Sequence, residues 1–118
     1  MPTDSRSITF KRRYPRVEFA TPILVKRVGE SAPEQMTRTQ VLGLGGCMFL
    51  SGRTFGPNAL LALMLTVRGR VLRAKARVAY ERRRPQNEIE VGVEFLHLDA
   101  LDTALLESVV PAGTGRAN

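Results

Sequence analysis

The sequence predicts a small, mainly β domain closed as a barrel, with one helix at its C-terminal end. Three observations carry this. Almost every segment reads as strand with turn residues between, two late segments alternate apolar and charged residues, and only the stretch after Asp99 changes to helical spacing. A chain of 118 residues is long enough for one domain with its own core. With 43% hydrophobic and 25% charged residues it is an ordinary globular composition, which excludes wholesale disorder and a fibrous architecture.

Residues 1–10 read as a flexible lead, 11–110 as the domain and 111–118 as a disordered tail. The first strand is expected at 21–28 (TPILVKRV), ended by the polar loop GESAPE. A second begins at 37–42. Gly43, Gly45 and Gly46 break the run before 47–50 resumes it, where glycine permits a positive φ or a close backbone approach. Residues 60–67 (LLALMLTV) are apolar at nearly every position, as in a strand covered on both faces.

From Leu72 the alternation is regular. Leu72, Ala74, Ala76, Val78 and Tyr80 form a dry face and Arg73, Lys75 and Arg77 a wet one. After the turn at 84–87, Ile89, Val91, Val93 and Phe95 are dry while Glu88, Glu90 and Glu94 are wet. Such a hairpin sets Arg73, Lys75 and Arg77 against Glu88, Glu90 and Glu94 across the strands. Asp99 then caps a helix through residue 110, with Asp102 in its first turn and Leu101, Leu105 and Val109 as an apolar stripe. That stripe is expected to cover the outer face of 60–67 or to close one barrel end.

Net charge is +7, which favours anionic partners. The halves differ: residues 68–84 hold eight basic and one acidic residue, and the chain after Arg84 holds one basic and six acidic. No apolar stretch has the length of a signal peptide core or a membrane span, so a cytoplasmic location is expected. The lone Cys47 forms no internal disulfide, and the lone His97 has no second histidine or cysteine to share a metal with; both read as structural. Catalysis is not expected. No glycine-rich phosphate loop precedes a helix.

The segment KRRYPR at 11–16 concentrates four cations around one Tyr-Pro step. Pro15 lacks an N–H and pushes Tyr14 toward extended geometry, which makes the segment an arm and not a helix. Guanidinium groups on such an arm can grip phosphate bidentately and lie flat on an aromatic base; a solvated basic tail is the plainer alternative.

This arrangement resembles the PilZ domain family. The elements that carry the likeness are Arg12-x-x-x-Arg16 before the first strand, Gly46 within VLGLGGC, the closing strand Gly92-Val93-Glu94-Phe95 and the terminal helix. The resemblance implies a six-stranded antiparallel β-barrel with a C-terminal α-helix, and a non-enzymatic bacterial receptor for the second messenger cyclic di-GMP. It implies ligand contacts from Arg12, Arg13, Arg16, Gly45 and Gly46, with Arg12 and Arg16 on phosphates and guanines, and an unidentified protein partner downstream. The family's second motif reads Asp/Asn-x-Ser-x-x-Gly, and here Val41 and Gly43 stand at its two polar positions. Each hydrogen bond so lost typically forfeits about 0.5–1.5 kcal/mol. Two alternatives stand beside the receptor: a scaffold that has lost the nucleotide and acts through protein contacts, and a nucleic-acid binder using the arm and 68–84. Against the last, Tyr80, the one aromatic in 68–84, is expected to face inward.

Overall fold

The computed structural model describes residues 16–31 and 33–110. The expected flexible lead, Arg12, Arg13 and the expected tail lie outside the described residues.

Among the described residues, seven strands and one α-helix follow in order: β1 (Arg16–Glu18), β2 (Pro22–Arg27), β3 (Gln35–Gly43), β4 (Gly46–Ser51), β5 (Leu60–Val67), β6 (Arg70–Arg84), β7 (Glu88–His97) and α1 (Ala100–Glu107). All pairings are antiparallel, in the order β1-β3-β2-β5-β6-β7-β4, and β4 returns to β3. Strands β2 to β7 therefore close a six-stranded barrel. The short β1 extends the line of β2 along β3, with Arg16 opposite Gly43 and Glu18 opposite Val41.

Local chemistry explains the connections. The β5–β6 hairpin turns on Arg68 and Gly69, both at positive φ (51° and 77°), the geometry of the tightest hairpin loops. The β6–β7 turn runs through Pro85–Asn87, with Gln86 and Asn87 at positive φ. Inside, Ile23, Leu42, Phe49, Leu61, Leu72 and Val91 are fully buried in one continuous core. Each such side chain contributes about 1.5–3 kcal/mol of transfer free energy. Phe49 meets Phe55 edge-on, with centroids 6.4 Å apart.

Cys47 belongs to this core, and burial pushes its thiol up to about 12. The thiolate is the reactive species. Cys47 should therefore resist a water-soluble thiol reagent in native protein and react at once in denaturant; fast native labelling would contradict its packing role.

Four details depart from the sequence reading. First, β5 is not covered on both faces: Leu61, Leu63, Leu65 and Val67 point inward, but Leu60, Ala62 and Thr66 are exposed. The helix is elsewhere because it packs at the barrel end. Leu106 and Val110 are fully buried in the core, and the Arg68 guanidinium donates to the Ser108 carbonyl at 3.0 Å, which ties the helix end to the β5–β6 turn.

Second, regular helix stops at Glu107, and of the expected stripe Leu105 and Val109 pack against the core while Leu101 is 79% exposed and Leu106 takes the buried place. The cap is as expected, since the Asp99 carboxylate accepts from the Asp102 N–H at 2.8 Å. Third, Tyr80 faces outward. The β6–β7 register passes from Val78↔Val93 to Tyr80↔Gly92, so Ala79 is an inserted bulge residue that reverses the alternation beyond it. Fourth, the cross-strand charges pair differently. Arg77 meets Glu94 as expected (2.7 Å), but Glu90 is buried and paired with Arg82 (2.6 Å) and Arg84 (3.7 Å). The register sets Lys75 opposite His97, so neither Arg73 nor Lys75 reaches a strand carboxylate.

Candidate functional site

A barrel filled with side chains offers its outer wall for recognition. The wall made by β4, β7 and β6 presents three rows of neighbours: Gly46, Glu94 and Arg77; Met48, Gly92 and Tyr80; Leu50, Glu90 and Arg82. The middle row continues through Val41, which pairs with Met48, to Glu18 of β1.

Two glycines shape this wall. A Cβ on Gly46 would lie 2.0 Å from the Val93 carbonyl oxygen, so glycine is required there by backbone approach and not by a positive φ. The adjoining Gly45 carbonyl accepts from the Phe95 N–H at 2.8 Å, which clamps the β3–β4 turn onto β7. A Cβ on Gly92 would meet the Tyr80 ring at 2.1 Å. The ring therefore lies directly on the bare Gly92 backbone.

Polar contacts fix that ring. The Tyr80 hydroxyl donates to Glu90 Oε2 at 3.2 Å, and Arg82 Nη2 donates to the same oxygen at 2.6 Å. Desolvation raises the Tyr80 pKa, the Glu90 carboxylate raises it further, and the charges of Arg16 and Arg82 oppose the rise. Arg16 on β1 is thus near enough to act electrostatically on the phenol. Because the folded state holds the phenol protonated, this stability is complete below the ordinary tyrosine pKa of about 10 and is lost as pH rises through the elevated one. Tyr80→Phe should remove a phenolate absorbance step that lies above the ordinary tyrosine range in an alkaline titration; a late step that survives the substitution would contradict this assignment.

Of the residues expected to bind ligand, Arg16 begins β1 opposite Gly43, and Gly45 and Gly46 form the adjoining turn. Val41 and Gly43, where the family pattern calls for polar side chains, lie on the same edge. Val41 is half-buried against Met48 and Gly43 is buried. The sequence reading missed Tyr80, Glu90 and Arg82. A glycine inside the closing strand, placed where an aromatic could lie across it, is the one signal that marks them.

Among the described residues no three His, Cys, Asp or Glu side chains group as a metal site, and no helix is long and apolar enough to cross a membrane. His97 is exposed at the end of β7, near Asp102, whose pKa is raised by desolvation and then by the neighbouring Asp99.

A closed six-stranded antiparallel barrel with an arginine at the start of its first described strand and a helix at one end defines a class of small β-barrel domain. Within that class, residues 10–110 match the PilZ domain family, and the chain belongs to it. The fold is shared with solved structures at low identity. One is the Bacillus subtilis inhibitor of motility MotI/DgrA, with a TM-score of 0.74 and 18% identity over 92% of this chain. This chain spans 54% of that protein. Another is the PilZ domain of Escherichia coli YcgR with c-di-GMP, with a TM-score of 0.67 and 17% identity over 91% of this chain and 94% of that one. The Klebsiella pneumoniae MrkH–c-di-GMP complex aligns at a TM-score of 0.67 and 14% identity, over 84% of this chain and 50% of that one. No curated protein matches by sequence.

Proposed function

We propose that this protein is a non-enzymatic cyclic di-GMP receptor of the bacterial cytoplasm, with residues 11–110 as the binding domain. The observation that carries the reading is Arg16. It is an exposed guanidinium at the start of β1, opposite Gly43 and acting on the outward Tyr80, at the position where the family pattern puts its second arginine. Membership of the family and its structural likeness to domains solved with c-di-GMP support the same reading.

In this mechanism the nucleotide docks on the wall edged by Arg16, Val41 and Gly46. The arm carrying Arg12 and Arg13 closes over it, because the phosphates supply the anionic partners that order those side chains. Gly45 and Gly46 keep the turn close enough to β7 for the ligand to approach backbone. The closed arm then presents a new surface to a protein of the motility, polysaccharide or regulatory machinery. Calorimetric titration at low and physiological salt tests this. Saturable binding that weakens with salt is expected, and no heat at millimolar ligand would end the receptor reading.

The scaffold reading has its own observation: the two polar motif positions are Val41, half-buried on Met48, and the buried Gly43. Under it, cyclic di-GMP leaves the melting temperature unchanged and partner capture is independent of nucleotide. The two readings also differ at Val41. On the receptor reading Val41→Asn returns a hydrogen-bonding group to the wall and should tighten cyclic di-GMP binding several-fold, by about 0.5–1.5 kcal/mol. On the scaffold reading the titration of this variant stays flat.

A further inference from the structure

The ring of Tyr80 is held on the outer wall in a way that leaves one face open. A Cβ on Gly92 would stand 2.1, 2.4 and 2.7 Å from the ring carbons Cε2, Cζ and Cδ2. Only a point above the face of a ring lies so nearly equidistant from three adjacent carbons; a point off its edge stands well away from the two that flank the nearest. The ring therefore lies face down on the Gly92 backbone. Its hydroxyl is anchored on Glu90 Oε2 at 3.2 Å, and the same oxygen accepts from Arg82 Nη2 at 2.6 Å, so the anchor is itself held. Seated on one side and tied at its tip, the residue is still 41% exposed, and that area is chiefly its outward face.

The surroundings select what such a face takes. The charges of Arg16 and Arg82 both act on the phenol, so a guanidinium from β1 and another from β6 stand near one flat ring. Along the same outer row Met48 and Val41 are apolar and half-buried, Val41 at a position where the family pattern puts a polar side chain. A ligand suited to this patch has a planar ring that is easily desolvated and anionic groups at its margin. That is the chemistry of a nucleotide, with the base on the ring and phosphate near the guanidinium groups. An apolar peptide side chain would make no use of the charge, and inorganic phosphate none of the ring.

We infer that Tyr80 is the base-stacking platform of the nucleotide site. The inference rests on the receptor reading and adds to it the group that holds one guanine. Stacking needs no donor or acceptor matched to the base, so it offsets the hydrogen bonds that Val41 and Gly43 do not supply. The ring is already immobilised by Gly92 and Glu90, and docking a base on it costs little further side-chain freedom. Because every base has a π-face, Tyr80 contributes affinity and leaves the choice of base to other contacts.

Calorimetry of cyclic di-GMP with the full chain tests this. Tyr80→Leu keeps an apolar cover over Gly92 but has no aromatic face, and it should bind about fivefold or more weakly than wild type. Tyr80→Phe keeps the ring and should stay within a few-fold. Melting curves check that both variants are folded. A second measurement does not depend on replacing Tyr80. The chain has two tyrosines and no tryptophan, so Tyr14→Phe leaves Tyr80 as the only emitter, and saturating cyclic di-GMP should quench it after correction for nucleotide absorbance. Three results overturn the inference while leaving the receptor reading in place: a folded Tyr80→Leu variant with wild-type affinity, equal losses in Tyr80→Leu and Tyr80→Phe, or tyrosine emission unchanged at saturation. A wild type that gives no heat at millimolar ligand ends the receptor reading and this inference with it.

Discussion

Replacing Arg12 and Arg16 together by alanine should weaken cyclic di-GMP binding by at least about a hundredfold while leaving the melting temperature nearly unchanged. A hydrogen bond to a charged group contributes about 1.5–3 kcal/mol, so two arginines on phosphate or guanine carry roughly 3–6 kcal/mol, which is a hundredfold or more in affinity. Stability is spared because Arg16 is exposed on a strand of three residues and projects no side chain into the core. Arg16→Lys should recover only part of the loss, since a lysine keeps the charge but not the bidentate fork or the flat face that stacks on a base. Calorimetry reads the affinity and circular dichroism the fold. Wild-type affinity in the double variant would move the ligand off this wall altogether.

The second large effect concerns stability. Gly46→Ala should lower the free energy of unfolding by about 3 kcal/mol or more, at the upper end of the overpacking range. The new methyl would fall 2.0 Å from the Val93 carbonyl oxygen and 3.0 Å from its carbon. Those are backbone atoms of β7, held by pairing along six residues of β4, so relief means prising apart a strand pair that closes the barrel. Gly92→Ala is the control. Its methyl also meets an obstacle, at 2.1 Å, but the obstacle is the ring of Tyr80, which is 41% exposed and can swing outward. That variant should unfold at nearly the wild-type denaturant concentration and show its change in the tyrosine titration instead. Equal loss of stability in both variants would mean that the β4–β7 pair yields as easily as a surface ring.

The barrel was legible because its strands obey a period that the residues themselves display. Leu72, Ala74, Ala76 and Val78 alternate with cations, Ile89, Val91 and Val93 alternate with carboxylates, and the structure keeps each of those inward side chains inward. The helix cap was legible for a similar reason, since Asp99 accepts from an N–H only three residues away. The site was half legible. Arg16, Gly45 and Gly46 were expected from the family pattern and fall along one edge of one wall. Tyr80 and its partners were not expected, because a single bulge at Ala79 reverses every later side chain of β6 while leaving the composition of the strand unchanged. The same reversal moved Arg82 onto Glu90, and the end of β7 left Arg73 and Lys75 without the strand carboxylates assigned to them.

What the amino-acid order determined by itself is whatever depends on neighbours a few residues apart: strand faces, turns, the cap and the sign of the charge. Tertiary structure decided the rest. It set which glycine is needed for close approach, which way Tyr80 points, where the helix packs and which apolar face is left bare. These depend on register and on contacts between residues dozens of positions apart, and one inserted residue changes them all without altering any local preference.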